Sequence, residues 1–175
     1  MTDVYVGPSV LVALGSVGEL DLLTAFDGTP VVPESARTEV TTEPAKTNLD
    51  RFCDDTGAAR TVDTDWTDDA MAVLDTTAAT SDTRLLEGVL AATDATDGGR
   101  DGPAVGLVSD DRRLRTVAEG FGATVTGTFG VVVRAASEDK YVSATQAKRI
   151  VRRIDSHGLH LTGEMREQAV GSTES

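Results

Sequence analysis

Val105 to Ala136 reads VGLVSDDRRLRTVAEGFGATVTGTFGVVVRAA, and the succession of patterns within it decides the fold class. Val105-Gly106-Leu107-Val108 is a short apolar run of strand length. Ser109-Asp110-Asp111 stops it. Leu114, Val117 and Ala118 then recur at helical spacing until Gly120 and Gly122 end the pattern. Ala123 to Thr126 is a second strand candidate, Gly127 to Gly130 a turn, and Val131 to Ala136 another apolar helix. Strand, helix, strand, helix predicts an α/β fold with a parallel sheet and crossover helices. In open sheets of that kind, ligands gather at the carboxyl ends of the strands. Here that end carries two adjacent carboxylates, Asp110 and Asp111.

On the N-terminal side the same alternation recurs. Asp3 to Val6 is a strand candidate, and Val10 to Leu14 begins a helix capped near Gly7 or Ser9. Glu19 to Phe26 reads as a further helix. Asp27-Gly28 turns into an apolar strand, Thr29 to Val32, and Pro33 opens a helix through Val40. Glu43 to Phe52 is a weaker helix, 54–59 a loop and 60–62 a minor strand. Thr67 to Leu74 is helical. Asp82 to Ala92 is the strongest central helix, with Leu85, Leu86, Val89 and Leu90 in one stripe and Ser81 or Asp82 at its cap. DATDGGRDG, from Asp94 to Gly102, is a solvated loop. Ser143 and Gln146 form a capping box for a helix running to about Ser156, with Ala147, Ile150, Val151 and Ile154 inward. Gly158 ends it, and a last helix starts near Thr162.

The 175 residues suit one domain, expected over residues 1–170 with 171–175 as a frayed tail. The N-terminus lacks the basic region of a secretory signal, and no apolar run is long enough to span a bilayer, so a cytoplasmic location is expected. A single cysteine, Cys53, excludes an internal disulfide and a cysteine-based zinc site. The net charge is −13, spread along the chain, and lysine is confined to Lys46, Lys140 and Lys148. Abundant Asp and Thr with scarce lysine resembles the composition of a salt-in halophile. At molar salt the Debye length shrinks to about 3 Å, which removes most of the self-repulsion, so the acidity speaks of habitat before partner; the alternative is an acidic protein that binds a basic partner.

Glu39, Asp82, Asp110 and Asp111 stand at strand ends or helix starts and are the acids that the topology can bring together. Crowded carboxylates either hold protons or attract a cation, and Mg²⁺ or Mn²⁺ is the ion that a few carboxylates and waters bind. Such an ion activates water and stabilises a phosphoryl transition state. The alternative is that these acids are solvated surface groups.

The segment VSDDRRLRTVAEGFGATVTGTFGVVVRAASEDKYVSA, with its DD-R-x-x-R-x-x-A helix and T-G-T-x-G turn, resembles the C-terminal half of PIN-domain proteins of the VapC-like branch. YVGPSVLVALGSVGELDLL resembles that branch's first strand and helices, VVPESARTEV its P-E-x-x-x-x-E-V segment, and RIVRRIDSHGLHLTGEMREQAV its C-terminal helical pair. The resemblance implies a three-layer PIN-like fold, a central parallel sheet of four to five strands flanked by helices. It also implies a Mg²⁺- or Mn²⁺-dependent endoribonuclease acting on single-stranded RNA, often the toxin of a toxin–antitoxin pair and often a homodimer. Position by position, the family's acids fall on Glu39, Asp82 and Asp110, with Asp111 beside the last. Ser9 and Ser109 match small hydroxyl positions. The family's first acid, in a D-x-S-x-L-I pattern after the first strand, is replaced by Gly7.

Two readings follow. In one, Asp82, Asp110 and Glu39 hold the cation, Asp111 or Glu39 completes the shell or orients water, and Arg112, Arg113 and Arg115 grip phosphate through their forked donors, with Ser9 supporting the site. In the other, the loss of an acid at Gly7 leaves a catalytically degenerate PIN-like domain that binds RNA or a protein without cutting. For the arginines the alternative is a solvated helix face. A phosphoryl receiver needs acids after its first strand, where Gly7-Pro8 offers none. His157 and His160 read as helix-end residues, and Trp66 and Cys53 as packing residues.

Overall fold

The computed structural model describes residues 2–25, 28–95, 105–137 and 142–156. Five strands form one parallel sheet in the order β3-β2-β1-β4-β5: β1 is Asp3–Val6, β2 Thr29–Pro33, β3 Ala59–Arg60, β4 Val105–Val108 and β5 Thr124–Thr126. β1 lies at the centre, with Tyr5 opposite Val31 on one side and Leu107 on the other. The helices are α1 (Pro8–Ser16), α2 (Glu34–Glu39), α3 (Ala45–Thr56), α4 (Thr67–Leu74), α5 (Ser81–Ala95), α6 (Arg112–Gly120), α7 (Thr128–Ser137) and α8 (Ala144–Ser156).

The central strands are apolar on both faces because helices cover both. All four residues of β4 are buried. Successive side chains point to opposite faces, so Val4 and Val6 enter one core and Tyr5 the other. The first core joins them to Leu11 and Leu14 of α1, Leu49 and Phe52 of α3, Val132 of α7 and Ile154 of α8. The second joins Tyr5, Val31 and Leu107 to Leu74 of α4, Leu85 and Leu86 of α5 and Leu114 of α6. Each fully buried Leu contributes roughly 2 kcal/mol relative to an exposed one. Gly88 lets α5 approach β1, since a Cβ there would lie 2.5 Å from the Tyr5 ring.

The fold is thus the expected α/β arrangement of a parallel sheet flanked by helices, with all five strands present. The local departures have local causes. Glu19 to Phe26 was expected as one α-helix. Leu20–Thr24 is instead a single 3₁₀ turn that buries Leu20, Leu22 and Leu23, and Phe26 lies outside the described residues. α3 runs on through Thr56, where a loop was expected, because Gly57 at φ 69° supplies the left-handed cap. Thr128 to Gly130 forms the first turn of α7 and not a turn before it. The capping box holds: Ser143 N donates to Gln146 Oε1 at 2.8 Å and Gln146 N to Ser143 Oγ at 3.1 Å. Cys53 is buried and Trp66 packs half-buried against the second core, as expected of packing residues. The Asp27 turn, residues 96–102 of the acidic loop, His157, Gly158, His160, the last helix and the tail lie outside the described residues.

Candidate active site

Strand pairing sets the site. Gly7 N donates to Val108 O at 2.9 Å, and Ser109 N donates to Thr126 O at 2.9 Å, so the ends of β1, β4 and β5 lie side by side. The chain leaves β4 through Ser109, and there the two adjacent acids part. Asp110 accepts from Thr128 N at 2.8 Å through Oδ1, and from Thr128 Oγ1 at 2.6 Å through Oδ2, with Ser9 Oγ at 3.4 Å. Asp111 caps α6, its Oδ1 accepting from Leu114 N at 3.0 Å, while its own N–H donates to Ser109 Oγ at 3.1 Å. One strand end therefore caps two helices.

The other acids arrive from the far side of β1. Glu39 is the last residue of α2, and its Oε2 accepts from Ser81 Oγ at 2.9 Å. The start of α5 is held by a reciprocal pair: Thr80 N donates to Thr83 Oγ1 at 2.6 Å and Thr83 N to Thr80 Oγ1 at 3.3 Å. Thr80, and not Ser81 or Asp82, thus makes the cap, and the Ser81 hydroxyl is left to hold Glu39. Asp82 sits in the first turn of α5, where the helix dipole favours a carboxylate.

A cavity of about 310 Å³ is bordered by Glu39, Ser81, Asp82, Asp111, Arg113 and threonines of the α4–α5 connection. Burial pushes the Asp82 carboxyl above the usual range, and the nearby charges of Asp111 and Glu39 push it the same way. Three of the four expected acids thus share one cavity. Asp110 is not among the residues that border it; its carboxylate faces Thr128 and Ser9. Of the expected phosphate ligands, Arg113 borders the cavity and Arg112 stands one residue before it, both exposed. Neither guanidinium is hydrogen-bonded or ion-paired among the described residues. Arg115 turns back, its Nη1 donating to Ser109 O at 3.0 Å. Gly7, where the resemblance led us to expect an acid, is buried, and a Cβ there would meet Leu85 Cδ1 at 3.4 Å and Ser109 Oγ at 3.6 Å, ordinary contact distances.

The family model DUF3368, a PIN domain, matches residues 6–175. The chain belongs to the PIN-domain family. No curated protein and no solved structure matches it. Membership in the PIN-domain family points to nuclease-type chemistry and to the divalent metal ions that its sites generally use. Among the described residues no three acids, histidines or cysteines stand already grouped as metal ligands. Charge and donor type nevertheless fit: three hard oxygen donors border one cavity, and the Asp82 carboxyl, raised first by burial, is raised further by the charges of Asp111 and Glu39, a repulsion that a cation relieves. Among the described residues no helix is long and apolar enough to cross a membrane.

Of the three hydroxyls that donate to these carboxylates, sequence reasoning named Ser9 and missed the roles of Ser81 and Thr128. The signal for Thr128 was present, since a threonine opening a helix offers both an N–H and a hydroxyl to a neighbouring anion. Ser81 carried no such signal, because its partner lies forty-two positions away.

Proposed function

We propose that this PIN domain is a Mg²⁺- or Mn²⁺-dependent endoribonuclease cutting single-stranded RNA at the cavity bordered by Glu39, Asp82 and Asp111. One observation carries the reading: carboxylates from three separate segments border one cavity at the carboxyl edge of the sheet, and Arg113 on its rim has no partner among the described residues. A divalent cation bound there supplies Lewis-acid polarisation of the phosphodiester and a more acidic water. Asp82 and Asp111, with Glu39 steadied by Ser81, would hold it. Arg113 and Arg112 draw the phosphate to the N-terminal end of α6, where forked donors and the helix dipole act together. Asp111 or Glu39 orients the attacking water. The water gives up a proton to solvent as its oxygen bonds to phosphorus, the bond to the departing ribose oxygen breaks, and that oxygen takes up a proton from solvent, so the protons balance.

The resemblance to the VapC-like branch supports a toxin paired with an antitoxin protein, acting as a homodimer in the cytoplasm. The charge of −13 with three lysines supports a halophilic setting, in which high salt lets RNA approach an acidic surface. The test is purified protein, Mn²⁺, molar KCl and a labelled single-stranded RNA. Cleavage that is lost in Asp82→Asn and Asp111→Asn supports the reading, and intact RNA with the wild type defeats it. Gly7 favours a second reading, a PIN domain that binds RNA or protein without cutting, since no acid follows β1. RNA retained uncut by the wild type, and cut by Gly7→Asp, selects that reading.

A further inference from the structure

The T-G-T-x-G turn, Thr126 to Gly130, does not border the cavity, yet two of its defining residues, Gly127 and Thr128, lie against one side chain, that of Asp110. Thr128 gives both of its donors to Asp110. A Cβ on Gly127 would lie 2.9 Å from Asp110 Oδ1 and 3.0 Å from Arg115 Nη1, so any side chain there displaces the carboxylate or the guanidinium. A Cβ on Gly130 would lie 1.8 Å from Thr126 Oγ1, so only glycine lets the first turn of α7 close onto β5. Arg115 meanwhile holds the carbonyl of Ser109, the residue just before the acid pair.

We propose that Asp110 is a positioning residue and that this turn is the cradle for its carboxylate. Cradled Asp110 anchors the end of β4 to α7 and, through Ser9, to α1. Arg115 fixes the preceding peptide. Ser109 Oγ and the cap on α6 fix the following one, which carries Asp111 to the cavity. Asp110 thus acts through Asp111 and does not itself take a place around the ion. The inference deepens the proposed nuclease site and rests on that reading for the cation.

The test is a Mn²⁺ titration of the full chain at molar KCl, followed by the paramagnetic signal of free Mn²⁺, with a thermal melt of every variant. Asp110→Asn and Thr128→Val each weaken Mn²⁺ binding by about tenfold, the scale of a lost supporting contact. The double variant is no weaker than Asp110→Asn alone, because both changes break the same link. Thr128→Ser, which keeps the hydroxyl, binds as the wild type does. Each of the two disruptive variants lowers the melting temperature by roughly 3 °C. Binding lost outright in Asp110→Asn but unchanged in Thr128→Val makes Asp110 a ligand and overturns the proposal. If the wild type binds no Mn²⁺, the cation reading fails by itself, and the melts decide the cradle: non-additive losses support it and additive losses overturn it.

Discussion

Ser81 Oγ donates to Glu39 Oε2 at 2.9 Å, joining the last residue of α2 to the first residue of α5 across forty-two positions of chain. The bond holds an otherwise exposed glutamate against the segment that carries Asp82, so two of the cavity's acids move as one unit. Ser81→Ala is expected to release Glu39 and weaken Mn²⁺ binding by about tenfold, with the melting temperature nearly unchanged. A Mn²⁺ titration beside a thermal melt measures both. An affinity equal to that of the wild type removes Ser81 from the site.

Asp82 makes a pH prediction. Its carboxyl is raised in the folded protein, first by burial and then by Asp111 and Glu39. A raised acid disfavours the charged form of the native state, so the native chain binds more protons than the unfolded one. The metal-free protein therefore loses stability as pH rises from the ordinary Asp range, near 3.9, through the raised folded value. Below that window the penalty is absent, and above it the penalty is complete. Asp82→Asn should then be more stable than wild type at neutral pH, and the advantage should vanish on acidification. Denaturant titrations across pH, read by fluorescence of the single Trp66, measure it. A constant difference at all pH values contradicts the assignment.

Glu87 is a fully buried acid. It accepts from Thr64 N at 2.7 Å and Thr67 Oγ1 at 3.1 Å, and pairs with Arg84 Nη1 at 3.0 Å. This carboxylate ties the start of α4 to α5 and so holds one wall of the cavity in place. Glu87→Ala leaves an amide and a guanidinium without their acceptor and should cost about 3 kcal/mol in denaturant unfolding. A loss under about 1 kcal/mol would show that water replaces the carboxylate.

The sheet was legible because its signal is local: Val105 to Val108 and Thr29 to Val32 are apolar runs bounded by turn residues, and helix patterns separate them. Three acids singled out in the sequence do border one cavity: Asp82 opens a helix and Asp111 follows a strand, whereas Glu39 closes α2 and reaches the cavity from a helix end. What each member of the Asp110-Asp111 pair does was not legible. Adjacent residues leaving a strand can point in different directions, and only Thr128 and Gly127, brought alongside by β5, decide where the Asp110 carboxylate goes. The extension of α3 through Thr56 was likewise hidden, because its apolar stripe ends at Cys53 and its last turn is polar.

Gly7 follows β1 where the sequence resemblance led us to expect an acid, and the space for a Cβ is there. Its φ of −79° suits any residue. Gly7→Asp should fold and add a carboxylate at the end of β1, strengthening Mn²⁺ binding by roughly tenfold or more, a gain of about 1.4 kcal/mol. Titration of the folded variant measures this. Unchanged affinity would place the cation site away from β1.

The most direct measurement is Mn²⁺ binding by the wild-type chain in molar KCl, compared with Asp82→Asn and Asp111→Asn. One bound Mn²⁺ per chain, lost in both variants while their melts stay cooperative, is the result expected of a cavity where Glu39, Asp82 and Asp111 act together. No bound Mn²⁺ in the wild type, or binding that survives both substitutions, contradicts it.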